Sequence, residues 1–255
     1  MAQGRIHIYN SADIDGVRKA AQAAAQVRKR LCAAVTPGMT TAEIDMLAGE
    51  FIRDTGGKSC SLGYEGFPGQ ICISINEEVV HGIGRHDRVV QPGDLVSLDI
   101  TVRLGRYVGD CAATVSAGMP ATGLAKELLE TTEAAMWAGI DMAREGNLVS
   151  DIGAAVEGIA NQHNFGVVRD MVGHGCGLEM HEPPEVPNYF IRGKSIPLQA
   201  GMIICIEPMI NAGTWRIAVD RKDGWTVRSA DGSLSAHFEN QVLITQNQAE
   251  VLSHA

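Results

Sequence analysis

The chain has 255 residues, of which 45% are hydrophobic and 20% are charged, and its formal net charge is −9. This length suffices to bury a large core, and the composition is typical of a soluble globular protein, with no apolar run near the roughly 20 residues of a membrane span. An acidic balance without a cluster of lysine and arginine argues against nucleic acid or an anionic membrane surface as the main partner.

The first third of the chain predicts two helices followed by a loop and a strand. Ser11 or Asp13 can cap the first helix, and Thr36-Pro37-Gly38 ends it. The second helix has apolar residues at helical spacing and is followed by two glycines. The predicted elements are helices over residues 11–35 and 41–52, a loop rich in glycine and aromatic residues over 59–70, a strand over 71–75, and a polar segment over 76–84 that contains His81.

The stretch LVSLDITVRLGRYVGDCAATVS, residues 95–116, predicts a β-hairpin with one aspartate in each strand. If the turn is centred between Leu104 and Gly105, Asp99 and Asp110 face each other directly across the two strands. Like charges in such a pair repel each other unless a cation lies between them, so a metal site is one interpretation. Two unrelated exposed aspartates at a sheet edge are the other.

The rest of the chain returns to two helices followed by strands. An offset of 108 residues places Gly146 on Gly38 and Ile152 on Ile44, which suggests an internal repeat. Chance similarity of two amphipathic helix pairs is the alternative. A true repeat predicts two αα-β halves that share one sheet, with the site between them. The predicted elements are helices over 124–144 and 150–161 and strands over 166–172, 202–210, 216–219, 225–228 and 235–245.

Three more possible ligands lie in or beside the predicted strands. His174 follows a strand, whereas Glu207 and Glu239 are surrounded by apolar residues. A buried carboxylate is costly without a proton, a cation or a metal beside it. Taken singly, each residue also has a structural explanation, such as a hydrogen-bonded histidine or a glutamate at an edge. Together with the two aspartates they form an oxygen-rich set that can hold two divalent ions, and such ligands suit Mn, Fe, Co or Zn.

Six stretches of the chain, in order, resemble the type I methionine aminopeptidases. They are SINEEVVHGIG, GDLVSLDITV, GRYVGDCAATV, MVGHGCGLEMHEPPEVPNY, GMIICIEPMI and KDGWTVRSADGSLSAHFENQVLIT, within a likeness that extends from about residue 11 to 245. The resemblance implies an α+β pita-bread fold: two pseudo-symmetric αα-β halves, about 11–116 and 121–245, around a curved, mainly antiparallel sheet in one catalytic domain, 1–255. It also implies an enzyme that removes the N-terminal methionine from peptides and nascent proteins with a small second residue.

The resemblance assigns a role to each site residue. Glu207 would be both a ligand and the proton shuttle, His181 would donate a hydrogen bond to the oxyanion, and His81 would contact the scissile amide or the residue after it. The implied metal ligands, for two divalent ions, are Asp99, Asp110, His174, Glu207 and Glu239. The implied substrate-binding residues are Tyr64, Phe67, Cys72, His81, Met180, His181 and Trp225.

Four positions depart from the pattern of bacterial members and bear on specificity. They are Ser61, Phe67, Met180 and His237, the last of which is close enough in sequence to a ligand to tune it. The short spacing between Glu207 and Glu239 disfavours the type II subclass. Two alternatives stay open: an X-Pro-cleaving peptidase of the same fold, which usually carries an added N-terminal domain, and a non-catalytic peptide-binding module of this fold.

Six scattered cysteines without a C-x-x-C pair, and an N-terminus without a signal-peptide pattern, favour a cytoplasmic protein with reduced thiols. We expect a monomer without a nucleic acid or membrane partner. Its expected partners are the N-termini of peptides and of nascent chains, including those at the ribosome.

Overall fold

The computed structural model describes residues 5–254. Its helices are α1 (Ser11–Ala34), α2 (Thr41–Asp54), α3 (Gly123–Met142) and α4 (Val149–Gln162), with a short 3₁₀ helix at Tyr64–Gly66. Its strands are β1 (Lys58–Ser59), β2 (Cys72–Ile75), β3 (Glu78–Val80), β4 (Leu95–Leu104), β5 (Tyr107–Ser116), β6 (Gly166–Val167), β7 (Gly173–Gly175), β8 (Glu182–Val186), β9 (Ile203–Ile206), β10 (Met209–Asn211), β11 (Ile217–Val219), β12 (Val227–Ser229), β13 (Ser235–His237), β14 (Glu239–Leu243) and β15 (Glu250–Val251). The predicted α+β class is confirmed. Within residues 5–254, no helix combines the length and the apolar character needed to cross a membrane.

All four predicted helices form, with small differences at their ends. The predicted caps of α1 are wrong: Asn10 is the N-cap, and its side-chain oxygen accepts a hydrogen bond from the Asp13 backbone N–H at 3.0 Å. Ser11 is already helical, so its hydroxyl lies one residue too late for this role. Helix α2 begins with a capping box between Thr40 and Glu43.

The strands form one large sheet and two small ones, and all recorded strand pairs are antiparallel. The nine-stranded sheet has the order β1-β4-β5-β14-β9-β7-β8, with β2 also on β4 and β15 also on β14. The small sheets have the orders β13-β10-β6 and β11-β12-β3. The chain therefore changes sheet between β9 and β10 and again between β13 and β14.

These changes of sheet explain two of the wrong strand predictions. The predicted strand 202–210 is broken at Glu207 and Pro208, and the strand 235–245 is broken at Phe238. The predicted strand 166–172 ends at Val167, and the loop 59–70 contains part of β1 and the 3₁₀ helix. Strand β8 was not predicted, because prolines interrupt its strand pattern.

The hairpin of β4 and β5 forms, but its predicted register is wrong by two residues. Leu104 pairs with Tyr107 across a turn of Gly105 and Arg106, so Asp110 faces Thr101 rather than Asp99. Gly105 has a positive φ of 62°, which suits glycine and fixes the turn one residue later than expected. Because side chains alternate with a period of two, a slip of two residues leaves both aspartates on the same face.

Each helix pair covers one part of the large sheet. One hydrophobic cluster joins α1 and α2 to β2 and β4, and a second joins α3 and α4 to β9 and β14. Helix α1 lies so close to β5 that a Cβ added at Gly109 would be 2.1 Å from the Ala20 carbonyl oxygen. Residues 41–54 of α2 correspond, at the offset of 108, to residues 149–162 of α4. The internal repeat itself stays a prediction.

Candidate metal centre and substrate pocket

Three carboxylates lie on one face of the large sheet, on neighbouring strands. Ala112 in β5 pairs with Asp99 in β4 on one side and with Glu239 in β14 on the other. Asp110 is two residues from Ala112 and therefore points to the same side of the sheet. Since neighbouring strands are about 4.8 Å apart, the register brings the three acidic side chains together.

His174 and Glu207 come from β7 and from the end of β9. The His174 Nδ1 lies 2.9 Å from the Gly175 carbonyl oxygen, which can only accept, so Nδ1 carries the proton and donates it. The lone pair of Nε2 then faces Glu207 Oε1 at 3.2 Å. Two acceptors at this distance require a proton or a cation between them.

The acidic groups are buried and short of partners. Asp110 is 3% exposed and Glu239 is 2% exposed. Among the described residues, Asp110 Oδ1, Glu207 Oε1 and Glu239 Oε1 are buried without a hydrogen-bond partner. Burial raises the pKa of each of these carboxyls well above its ordinary value, and the neighbouring carboxylates raise it further. Burial also raises the pKa of Asp99, against the effect of His237.

The histidine completes a set that fits a divalent cation. Burial lowers the pKa of His174 to about 3, so its imidazole is neutral near pH 7 and can act as a ligand. Ligand atoms of Asp110, His174, Cys205 and Glu239 all lie within 4.8 Å of one another. Unpartnered carboxylate oxygens and a neutral imidazole nitrogen are the donors that divalent transition metals bind. A cation among these residues would satisfy the unpartnered oxygens of Asp110 and Glu239 and the lone pair of His174.

The sequence did not predict Cys205 at this position. Burial raises the pKa of its thiol well above the ordinary value. A protonated thiol makes Cys205 a wall of the site rather than a thiolate ligand. The strand period of two could have indicated it, since Cys205 precedes Glu207 by two residues.

A cavity of about 380 Å³ lies against the acidic cluster. Phe67 and Trp225 meet edge to face in its wall, with ring centroids 5.2 Å apart. Cys72 pairs with Asp99 across β2 and β4, so the cavity and the acidic cluster are in direct contact. Every predicted site residue lines this cavity: Tyr64, Phe67, Cys72, His81, Asp99, Asp110, His174, Met180, His181, Glu207, Trp225 and Glu239.

Two histidines flank the cavity. The Tyr64 hydroxyl is 2.9 Å from His181 Nδ1, and the ring centroids of His181 and His174 are 4.4 Å apart. His81 has a positive φ of 59°. Residues other than glycine rarely adopt this backbone conformation, which costs about 1–3 kcal/mol. Such strain is found most often at functional sites. Burial lowers the pKa of His81 to about 4 and keeps it neutral.

The four departures from the family pattern all lie at this site. Ser61 Oγ is 2.6 Å from Thr101 Oγ1, and Ser61, Phe67 and Met180 line the cavity. His237 is 1% exposed, and its Nε2 is 3.5 Å from Glu207 Oε2. Neither ring nitrogen of His237 has a hydrogen-bond partner within residues 5–254.

Comparison with known proteins shows the family. The model of "Metallopeptidase family M24" matches residues 15–246. The methionine aminopeptidase of Clostridium acetobutylicum is 42% identical over 97% of this chain and 98% of its own length. The crystal structure of the methionine aminopeptidase of Thermotoga maritima has a TM-score of 0.95 and 36% identity, with 98% of this chain and 100% of that chain covered.

A more distant neighbour shares the fold alone. The prolidase of Pyrococcus furiosus has a TM-score of 0.77 and 22% identity over 97% of this chain and 65% of that chain. These neighbours confirm the pita-bread fold. The chain belongs to metallopeptidase family M24 and, within it, to the methionine aminopeptidases.

Proposed function

We propose that the protein removes the N-terminal methionine from peptides and nascent proteins whose second residue is small. The observation that carries the proposal is the single cavity that joins five potential metal ligands to an apolar, sulfur-containing pocket. An unbranched thioether fits such walls, because it is flexible and polarisable. His81 projects into the same cavity and would crowd the second residue, which favours a small one.

Two divalent ions, when bound, would supply Lewis-acid polarisation of the scissile carbonyl and of a water molecule. Their proposed ligands are Asp99, Asp110, His174, Glu207 and Glu239. A site built from carboxylates and one imidazole suits Mn, Fe, Co or Zn.

The remaining steps belong to protein groups. Glu207 would take the proton of the attacking water on a carboxylate oxygen and pass it to the leaving amine. With Nδ1 accepting from the Tyr64 hydroxyl, His181 would donate from Nε2 to the developing oxyanion. His81 would hold the scissile amide. The pairing of the strands in the large sheet holds the acidic groups in place.

We extend the proposal to one catalytic domain that acts as a monomer on nascent chains in the cytoplasm, including chains at the ribosome. The six free cysteines suit a reducing compartment. The mass measured by size exclusion with light scattering, and release of methionine from ribosome-bound chains, test these two points.

The deciding experiment compares kcat/KM for Met-Ala-Ser and Ala-Pro-Ser under one metal condition. We expect Met-Ala-Ser to be preferred and Met-Lys-Ser and Met-Phe-Ser to resist. Norleucine-Ala-Ser should be cut within about two orders of magnitude of Met-Ala-Ser, because an apolar pocket distinguishes a methylene by only about 1–3 kcal/mol. A preference for Ala-Pro-Ser would replace the proposal with an X-Pro peptidase. Cleavage of neither peptide at full metal occupancy would favour a binding module.

A further inference from the structure

A second cavity, of about 900 Å³, adjoins the substrate pocket. The two share His174, His181 and Glu185 as lining residues, so they meet beside the metal centre. Its volume is at the upper end of the range for ligand pockets. In the proposed function the methionine side chain occupies the smaller cavity, so the larger one is free for another part of the substrate. We call this larger cavity the downstream groove.

The downstream groove has mainly apolar walls. Strand β8 forms one wall and is the last strand of the large sheet. Prolines in β8 lack the N–H needed to pair with a further strand, so this edge offers side chains rather than a backbone ladder. The apolar lining residues used here are Pro183, Pro184, Pro187, Tyr189, Ile191 and Ile196.

Charge is placed unevenly along the groove. Glu185 is exposed and lines both cavities, whereas Lys194 lines only the downstream groove and not the substrate pocket. Within residues 5–254, Glu185 forms no ion pair and no side-chain hydrogen bond, in contrast to Glu182, which accepts from the Tyr9 hydroxyl at 2.8 Å. An uncommitted carboxylate at the junction of two cavities can interact with whatever passes between them.

We propose that the downstream groove binds the substrate residues that follow the second one, as an extended chain. This inference rests on the proposed function. Glu185 pairs with His174 across β8 and β7, and both His181 and Glu185 line the two cavities. When the first residue fills the pocket and the second passes His181, the third therefore comes beside Glu185. Glu185 then selects lysine or arginine over glutamate at the third position. Apolar side chains at later substrate positions contact the wall formed by Pro183, Pro184 and Pro187.

The first test measures kcat/KM on amidated peptides of matched length under one metal condition. Met-Ala-Ser-Leu-Leu-Ser should exceed Met-Ala-Ser-Ser-Ser-Ser by about tenfold, as expected for burial of two side chains on an open wall. Ile191→Ser should reduce this ratio to about threefold, whereas Leu124→Ser, on the exposed side of α3, should retain it. Equal rates for the two hexapeptides, or an unchanged ratio in Ile191→Ser, would overturn the groove assignment.

The second test concerns the third residue. Met-Ala-Lys-Ser should be cut about tenfold faster than Met-Ala-Glu-Ser at low salt, with a smaller ratio at high salt because exposed charges are screened. Glu185→Gln should bring the ratio close to one, and Glu133→Gln, an exposed glutamate on α3, should not change it. A lysine-to-glutamate ratio that is the same in Glu185→Gln and in the parent would exclude Glu185 as the selecting group.

These tests separate the two proposals. Failure to cut Met-Ala-Ser at all would refute the proposed function, whereas efficient cutting with no effect of downstream residues would refute only the groove. Binding gives an independent measurement: the labelled product peptide Ala-Ser-Leu-Leu-Ser should bind the metal-free protein more tightly than Ala-Ser-Ser-Ser-Ser in fluorescence anisotropy. Equal affinity would count against the groove.

Discussion

Replacement of Glu207 by glutamine should make the metal-free protein more stable while it removes most of the turnover. In the metal-free protein the lone pair of His174 Nε2 faces Glu207 Oε1 at 3.2 Å, and that oxygen has no hydrogen-bond partner within the described residues. A glutamine amide can donate to Nε2 at the same place. It also removes one negative charge from a cluster that includes Asp99, Asp110 and Glu239.

The size of the effect follows from the geometry. An unsatisfied buried acceptor costs about 1–3 kcal/mol, and the glutamine relieves one such group. For a protein of this size 1 kcal/mol corresponds to roughly 2–4 °C in Tm, so the metal-free variant should melt about 2–12 °C higher. Turnover should fall about 10²–10⁴-fold, the usual contribution of a general acid–base group.

The pH dependence of Tm tests whether Glu207→Gln stabilises the metal-free protein for this reason. Burial raises the pKa of Glu207 in the folded state. Above its folded pKa such a carboxyl carries its full penalty to stability. The penalty shrinks as the pH falls below that value and is gone below the ordinary pKa of a glutamate, about 4.3. The difference in Tm between the glutamine variant and the parent should therefore shrink on acidification.

The assay is calorimetric melting of chelator-treated protein, followed by titration with Mn²⁺. The parent should gain more in Tm from the metal than Glu207→Gln does, because the variant lacks one anionic ligand. Glu133→Gln is the matched control for the loss of an exposed charge. A lower Tm in metal-free Glu207→Gln, or unchanged turnover at full metal occupancy, would refute the reasoning.

Three further predictions test the metal, the packing and the surface. Exhaustive chelation should abolish turnover and leave the helical circular dichroism intact, with activity restored by Mn, Fe or Co; turnover that survives would contradict the metal site. Gly109→Ala should destabilise the protein by about 3 kcal/mol or more in urea unfolding, because the added Cβ would clash with the Ala20 carbonyl. The control Gly158→Ala, in open space on α4, should stabilise the protein by about 1 kcal/mol. The Ser233 hydroxyl, with backbone donors, lowers the pKa of Asp231 to about 2. Its contribution to stability is therefore present above the unfolded pKa, about 3.9, and is lost as the pH falls through about 2, so Asp231→Asn should flatten the urea midpoint over that range.

The helices could be predicted closely from the sequence because their signals are local. Caps, apolar spacing and terminal glycines lie within each segment, and α2 and α4 begin and end within one or two residues of the prediction. The strands depend on partners that are distant in the chain. Pro208 could have indicated a break, because proline interrupts a strand, but nothing local to Phe238 shows that the chain changes sheet there. Continuous strands were predicted at both places, and both predictions are wrong.

The site was predictable in part for the same reason. Acidic residues among apolar strands are unusual enough to stand out, and the strand period of two placed them on common faces. The direct pairing of Asp99 with Asp110 failed because the turn lies one residue later. Glu185 was out of reach, because its position depends on the pairing of β8 with β7, and the prolines around it hide the strand.

Several costly features of this molecule lie close together. The repelling carboxylates and His81, with its positive φ, line a single cavity, and the unpartnered Nε2 of His237 is 3.5 Å from Glu207, which lines it too. The two main hydrophobic clusters, by contrast, lie between the helix pairs and the sheet. Local departures from good packing and pairing are expected at functional sites, where the rest of the fold compensates for them. The helices and the hydrophobic clusters thus stabilise a cavity that would not be stable alone, so substitutions inside it should alter metal binding and turnover before they alter folding.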